Sequence, residues 1–273
     1  FGAMATAEKK YRVVRAEGEV GAAQVAELLQ ERAEDAPLPV LVVADKEAGS
    51  RALAAYVQQE VAAAGGSAEA PGYTLGLATG STPVPLYKEL AARAAGGWSM
   101  AGVRAINLDE YYPIAPDDRN SYRRFMREQL FDHVDVAAAN QHIPDGTAAE
   151  EALAAHCAAY EARIAEGVDL QVLGIGRDGH IGFNEPGSAR TDATRLVHLH
   201  PQTIADAAVD FGGEEHVPRR AITMGVASIL SARQCVLMAW GTKKAPVMGA
   251  ALAALAQPTA ELPASFLAEH RRC

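Results

Sequence analysis

The chain has 273 residues, of which 49% are hydrophobic, and it carries 25 basic and 34 acidic side chains for a net charge of −9. These values fit one large α/β domain with a substantial core and exclude an intrinsically disordered protein. The acidic balance gives no electrostatic footprint for nucleic acid or for an anionic membrane, so we expect neither as a partner.

The chain also lacks the sequence features of a secreted or membrane-spanning protein. No apolar run approaches the roughly 20 residues of a membrane span, and no charged-then-apolar leader opens the sequence. The three cysteines, Cys157, Cys235 and Cys273, are widely spaced and odd in number, which fits a reducing compartment better than a disulfide framework. No cysteine–histidine cluster has zinc spacing. We therefore expect a cytoplasmic protein without a metal site.

Short apolar strands alternate with helical patterns along most of the chain. Strands are predicted at residues 39–44, 73–78, 103–108, 169–174 and 234–240, and helices at 48–64, 83–95, 121–131, 149–165 and 243–255. This alternation is typical of a parallel sheet covered by helices. Residues 38–273 are interpreted as one domain, and residues 1–37 as an N-terminal extension whose first three residues look like a cloning remnant before Met4.

The segment that carries the most chemistry runs from Gly174 to Glu185, directly after a predicted strand. It places Asp178 and Glu185 around His180. Histidine has the side-chain pKa nearest neutrality, and neighbouring carboxylates fix its tautomer and stabilise its protonated form. The three residues therefore predict a catalytic acid/base group.

The same segment has the G-x-G-x-x-G spacing of a dinucleotide-binding loop, at Gly174, Gly176 and Gly179. A dinucleotide fingerprint must open a helix, but Gly182 and Pro186 interrupt any helical run here. We therefore predict an irregular loop and no nucleotide cofactor.

A second motif, Thr79-Gly80-Ser81-Thr82, follows the second predicted strand and precedes Pro83. With Thr82 as helix N-cap and Pro83 as the first helical residue, the backbone amides and hydroxyls of this loop would face an anion at a helix N-terminus. The motif therefore predicts a phosphate cradle. A well-capped turn without a ligand fits the same residues equally well.

Two further candidates follow other predicted strands. Lys243 and Lys244 open a helix whose dipole disfavours cations, so a nearby phosphate is one explanation for them and solvation is the other. Asp109 follows the strand at 103–108. If the strands are parallel, all four motifs lie at the carboxyl edge, where open α/β sheets bind ligands. A base, a braced histidine and a phosphate loop suit proton transfer on a sugar phosphate.

Together these residues closely resemble the family of glucosamine-6-phosphate deaminases and 6-phosphogluconolactonases, from about Val40 to His270. The matching stretches are residues 75–83, 107–111, 121–126, 131–135, 176–186 and 223–226. The resemblance implies a three-layer α/β/α sandwich around a mostly parallel, Rossmann-like sheet. It implies no cofactor and an amino-sugar phosphate as the small-molecule partner. The sequence itself does not determine the oligomeric state and is compatible with a homo-oligomer.

The stretches match the deaminating branch of this family. The resemblance implies that Asp109 moves the C2 and C1 protons and that His180 opens the sugar ring. Asp178 and Glu185 would tune that histidine, and Lys244 would bind the phosphate beside the loop. The implied reaction belongs to amino-sugar catabolism and converts glucosamine 6-phosphate and water into fructose 6-phosphate and ammonia, a deamination coupled to aldose–ketose isomerisation.

Two alternatives stay open. A 6-phosphogluconolactonase shares the phosphate loop and the Asp-Gly-His element, but usually carries an acidic-arginine pair where this chain has Asp109, Glu110 and Tyr111. It also has a Ser-Leu-Phe-Pro-like run where this chain has residues 181–186. A non-catalytic sugar-phosphate sensor on the same scaffold would not need both a base and a braced histidine.

The chain departs from the deaminase pattern at two places. Deaminases typically carry a phosphate-binding arginine in an Asn-Ser-Arg-Phe-Phe-like segment, where residues 206–211 here read Asp-Ala-Ala-Val-Asp-Phe. Allosteric members use a serine, an arginine and a lysine; Ser188 and Arg195 match, whereas Val197 stands at the lysine position. We therefore expect a different phosphate contact and no activation of the usual pattern.

Overall fold

The computed structural model describes residues 10–16, 18–33 and 36–273. At its centre lies a parallel sheet of five strands: β3 (Tyr73–Leu77), β4 (Val103–Asn107), β6 (Gln141–His142), β7 (Leu170–Leu173) and β10 (Gln234–Leu237). The strand order is β10-β7-β3-β4-β6, and every pairing is parallel. Four of the five predicted strands therefore lie side by side in one parallel sheet.

Helices cover both faces of this sheet. One face carries α2 (Lys46–Ala64), α3 (Val84–Ala95) and α4 (Tyr122–Gln129), and the other carries α5 (Leu153–Ala165), α7 (Val226–Leu230) and α8 (Ala245–Ala254). Successive side chains of a strand point to opposite faces. Accordingly Val103 and Ala105 of β4 pack in the first core and Ile106 in the second. The predicted three-layer α/β/α sandwich is confirmed.

The N-terminal part forms a small sheet of its own. Its elements are β1 (Tyr11–Arg15), α1 (Ala22–Leu28) and β2 (Leu38–Val42). The strand predicted at residues 39–44 is present as β2, but it pairs in parallel with β1 and not with the five-stranded sheet. Residues of β2 and β10 line the same largely apolar cavity of about 440 Å³. Val25 and Leu29 nevertheless share the core of α2 and α3, so the described part of the extension packs on the domain. The proposed remnant and Met4 lie outside the described residues.

After β4 the chain enters a second sheet, where the sequence predicted only a strand end and a turn towards the next helix. It continues into β5 (Asp109–Tyr112), which pairs antiparallel with β9 (Arg220–Thr223), and β9 pairs antiparallel with β8 (Arg195–His198). The junction is Leu108, whose backbone N–H donates to Leu77 of β3 and whose carbonyl accepts from the N–H of Met224. Asp109 and Glu110 were expected only to end a strand. Their pairing with the distant strand β9 instead makes them part of a new strand.

Among the described residues, no helix combines the length and the apolarity needed to cross a membrane.

Candidate active site

The four predicted motifs meet at the carboxyl edge of the parallel sheet. The loop after β3 and the end of β10 are joined by a 2.9 Å hydrogen bond from the indole Nε1 of Trp240 to the carbonyl of Thr82. The turn after β10 reaches the loop after β7, since Lys244 Nζ donates to the carbonyl of Ile175 at 2.5 Å. Asp109 begins β5 at the same edge. The expected convergence of the motifs is therefore present in the fold.

His180 lies between two carboxylates. Its Nδ1 is 2.7 Å from Asp178 Oδ1 and 3.5 Å from Glu185 Oε2. Burial lowers the pKa of His180, but the hydrogen bonds and charges of the two acids raise it further, to about 9. Burial likewise raises the pKa of Asp178, and its bond to His180 more than offsets this and holds the pKa at about 2. The imidazole is therefore held as a cation braced by two anions.

A tight turn and two glycines produce this arrangement. The N–H of Gly179 donates to the carbonyl of Gly176 at 3.2 Å, and Gly179 has a φ of +89°, in the left-handed region that favours glycine. A Cβ on Gly176 would lie only 2.2 to 2.4 Å from three atoms of the His180 ring. Residues 174–188 contain no helix, so the prediction of an irregular loop in place of a dinucleotide fingerprint is confirmed.

The second carboxylate of the group is held by a helix that the sequence did not predict. This helix is α6 (Pro201–Phe211), and it packs its first turn against Glu185. Thr203 Oγ1 donates to Glu185 Oε2 at 3.0 Å, and the N–H of His200 donates to Oε1 at 3.3 Å. Glu185 is 8% exposed. Both of its oxygens therefore have fixed partners, which orients the carboxylate towards His180.

Asp109 is buried and incompletely paired. It is 4% exposed, and its Oδ1 is buried without a hydrogen-bond partner. Burial raises the pKa of Asp109, the charge of Glu110 raises it further, and His180 and a hydrogen bond from Thr79 lower it, giving about 8. An unpaired buried acceptor costs about 1–3 kcal/mol, so the position favours a ligand that brings a hydrogen-bond donor.

Glu110 is a site residue whose role the sequence did not reveal. Its carboxylate accepts the backbone N–H groups of Tyr111, Tyr122 and Arg123 at 2.8 to 2.9 Å. Two of these are free donors at the start of α4, so Glu110 fixes the helix there, and Ser121 caps it by accepting from Arg124. Burial raises the pKa of Glu110 to about 7, although the three N–H bonds lower it. Glu110 therefore places Tyr122 beside the site.

The loop predicted to bind phosphate lies between β3 and α3, but the helix that follows it starts later than expected. The N-cap is Pro83 and not Thr82, with no side-chain cap bond, and α3 begins at Val84. The reason is that the Thr82 carbonyl is bound by the indole of Trp240, which holds Thr82 in the loop. Gly80 has a φ of +83°, and it is exposed, as is Ser81. The loop therefore presents two exposed residues just before the helix.

Of the two candidate lysines, Lys244 faces the site. It is half-buried and bonded to Ile175, whereas Lys243 is exposed. Burial lowers the pKa of Lys244, and the charges of Asp206, Arg177 and Asp178 also act on it. Lys244 is thus the cation positioned beside the loop after β7.

Asp178, His180 and Glu185 also have the spacing of a metal-ligand set. One ligand atom from each lies within 4.8 Å of the others, and imidazole with two carboxylates suits several divalent cations. The ion pairs of His180 with Asp178 and Glu185 involve the same side chains. No metal was expected from the sequence.

The two departures from the deaminase pattern have clear positions in the fold. Residues 206–211 form the second half of α6 and carry no guanidinium. Ser188 and Arg195 are brought together, since Arg195 Nη2 donates to Ser188 Oγ at 3.1 Å, while Val197 lies farther along β8. The segment at which deaminases typically carry a phosphate-binding arginine therefore has none in this chain.

Comparisons with known proteins identify one family. Residues 44–273 match the family model described as glucosamine-6-phosphate isomerases/6-phosphogluconolactonase. A Shewanella loihica protein named glucosamine-6-phosphate deaminase is 49% identical over 204 residues, which cover 74% of this chain and 75% of that protein. A Rhodopirellula baltica protein of the same name is 42% identical over 236 residues, covering 85% and 90%.

A solved structure, described as a monomeric glucosamine-6-phosphate deaminase, has a TM-score of 0.75 and 34% identity over 82% of this chain and 90% of that one. The family match spans most of the chain and includes every predicted site residue. The chain therefore belongs to the glucosamine-6-phosphate isomerase/6-phosphogluconolactonase family.

Proposed function

We propose that this protein is a glucosamine-6-phosphate deaminase, which converts glucosamine 6-phosphate and water into fructose 6-phosphate and ammonia. The observation that carries this proposal is Asp109, a buried carboxyl with an unpaired oxygen at the edge that also holds the His180 group. The relatives of this chain that carry that name, at 42% and 49% identity, support the same activity.

Asp109 is the proposed carbon base. In the ring-opened amino sugar it takes the C2 proton and returns it to C1, which leaves an imine at C2. Water adds to that imine, and ammonia leaves as the ketose forms. The substrate's ammonium group, bound near Asp109, would favour the carboxylate over the neutral acid, because a nearby positive charge lowers the pKa of an acid. An amino sugar thus helps to ionise its own base.

His180 is the proposed acid/base for opening the ring. A protonated imidazole can donate its proton to the ring oxygen, and the neutral imidazole can then accept the proton of the C1 hydroxyl, while Asp178 and Glu185 orient the ring and stabilise its protonated form. The phosphate would bind the loop of Thr79, Gly80, Ser81 and Thr82, and Lys244 would supply the positive charge beside this loop.

The alternatives explain less of the site. Lactone hydrolysis moves no proton from carbon, so it gives no role to a buried base such as Asp109 beside the His180 group. A sugar-phosphate sensor needs neither, and an unpaired buried carboxyl would lower its stability without a benefit. The deaminase reaction uses all of these groups.

One chain contains all of the proposed groups, so we propose that activity does not require a homo-oligomer. The three cysteines are free thiols in the structure, which supports the cytoplasm as its compartment.

The direct test is ammonia release. The protein incubated with glucosamine 6-phosphate should release ammonia and form fructose 6-phosphate in equal amounts, measured by coupled assays. It should not accelerate the hydrolysis of 6-phosphogluconolactone. Lactone hydrolysis without ammonia release would assign the chain to the lactonase branch, and binding without turnover of either compound would favour the sensor.

Asp109→Asn keeps the shape of the side chain but removes its basicity. We expect kcat to fall by about 10²-fold or more with a modest change in KM, because proton transfer from carbon depends on this group. A suitable control is Asp135→Asn, since Asp135 bonds Ser99 and Met100 at the amino ends of the strands. Near-normal turnover of the Asp109 variant would remove this residue from the mechanism.

The pH dependence of kcat/KM should have a rising and a falling limb. It rises as Asp109 loses its proton near its pKa of about 8 and falls as His180 loses its proton near about 9, although the two groups interact and titrate as a pair. Asp178→Asn removes the carboxylate nearest the imidazole, so the falling limb should move about one pH unit or more to lower pH.

The control for this measurement is again Asp135→Asn, which should leave both limbs in place. A falling limb that does not move in Asp178→Asn would show that Asp178 does not set the protonation of His180.

Lys244→Ala should raise KM for the sugar phosphate by about 10-fold to 100-fold, from the roughly 1.5–3 kcal/mol of a charge-assisted hydrogen bond, with a smaller effect on kcat. Lys243→Ala is the matched control, because it removes the same charge one residue away on an exposed side chain. Equal KM values for the two variants would mean that the phosphate binds elsewhere.

A further inference from the structure

The turn that carries Asp178 also carries Arg177, which the proposed reaction does not use. Arg177 and Asp178 are the two central residues of the turn closed by Gly176 and Gly179. They have different partners: Asp178 contacts His180, whereas Arg177 Nη1 lies 2.8 Å from Asp206 Oδ1 of α6. One turn therefore presents an anion to the imidazole and a cation to α6.

The side of α6 that Arg177 meets is separate from the side that holds Glu185. Gln202 Nε2 and Arg177 Nη1 both donate to Asp206 Oδ1, each at 2.8 Å. Residues 202 and 206 are four apart and therefore share one helix face. Thr203 contacts Glu185 from a neighbouring face. The Arg177 pair is thus distinct from the bonds that orient the acid group.

This pair lies beside the proposed phosphate lysine. Lys244 bonds the carbonyl of Ile175, two residues before Arg177 in the chain. Its charge interacts with both Asp206 and Arg177. The loop after β3 is close as well, since a Cβ on Gly174 would be 3.7 Å from Thr82. Two cations and one carboxylate therefore lie next to the loop proposed to bind phosphate.

We propose that Arg177 is a second cationic contact for the substrate phosphate, and that Asp206 holds its guanidinium until the phosphate replaces the carboxylate. This inference rests on the proposed function and names a residue of the same site. The Arg177 side chain is 65% exposed and that of Asp206 36% exposed. Such an exposed pair is weak, so its exchange for a phosphate dianion costs little.

The chemistry of the guanidinium suits this role. Its planar fork matches two phosphate oxygens at once, and a dianion attracts it more strongly than a carboxylate does. The second half of α6 contains no guanidinium. Arg177 supplies one from the turn that contacts α6 at Asp206, which would compensate for the arginine that this helix segment lacks.

The test compares Arg177→Ala and Arg177→Lys with a matched control, Arg190→Ala. Arg190 also forms an exposed surface ion pair, with Glu269 at 2.6 Å. We measure KM and kcat for glucosamine 6-phosphate, the dissociation constant of inorganic phosphate by calorimetry, and Tm. Arg177→Ala should raise both KM and the dissociation constant of phosphate by about 5-fold to 20-fold, while kcat should stay within about 2-fold of the parent value.

Arg177→Lys keeps the charge without the fork, so its values should lie between those of the parent and Arg177→Ala. Arg190→Ala should match the parent. If Arg177→Ala lowers Tm but leaves phosphate binding unchanged, the residue only ties the turn to α6 and the proposal is overturned. Calorimetry needs no turnover, so it tests Arg177 even where no ammonia is released, and the two proposals can fail separately.

Asp206→Asn tests the exchange. It removes the competing charge but keeps a similar shape, so phosphate should bind about 2-fold to 5-fold more tightly, and KM should fall in proportion. Unchanged or weaker phosphate binding in Asp206→Asn would overturn the exchange.

Discussion

The burial of Asp109 follows from the way the backbone passes through Leu108. The N–H of Leu108 belongs to the parallel sheet and its carbonyl to the antiparallel one, so the next residue starts a strand inside the protein. A carboxyl at this point cannot turn towards bulk water as it could at an ordinary strand end. The low dielectric that raises its pKa is therefore a property of the fold, and the other active-site groups are arranged around it.

The cluster of Asp178, His180 and Glu185 is connected to the residues proposed to bind phosphate by two short segments. The turn from Gly176 to Gly179 carries both Asp178 and Arg177, and α6 contacts Glu185 and Arg177 from two of its faces. A shift of α6 would therefore change the orientation of the imidazole and the position of the guanidinium together. This coupling gives a physical reason to expect that a bound phosphate would align His180, the proposed ring-opening group, as binding energy far from the reacting atoms often does.

The sequence was sufficient where local pattern decides the structure. Buried apolar strands predicted β3, β4, β7 and β10, and the spacing of Asp178, His180 and Glu185 predicted their cluster. It was insufficient where distant contacts decide. The two acids of β5 disfavour a strand, which forms here through pairing with β9, and β8 depends on the same partner strand. In contrast, α6 has local helix signals, Pro201 in its first turn and the left-handed Gly212 after its end, so this helix could have been predicted. An arginine in a glycine-rich loop, such as Arg177, looks like any solvated charge until its partner on α6 is known.

The shifted pKa values of this site also determine how the stability of the fold varies with pH. Asp109 ionises near 3.8 in the unfolded chain and near 8 in the fold, so its contribution to stability declines as pH rises between these values. His180 stabilises the fold fully below about 6.5 and loses this effect as pH rises through about 9. Asp178 has the opposite effect: it stabilises the fold above about pH 3.8 and loses this effect as the pH falls towards 2. Together the three groups favour the folded state most in mildly acidic solution, whereas Asp109, the proposed base, ionises in the free protein only as the pH approaches about 8. The candidate site therefore stabilises the fold least under the alkaline conditions that ionise its proposed base.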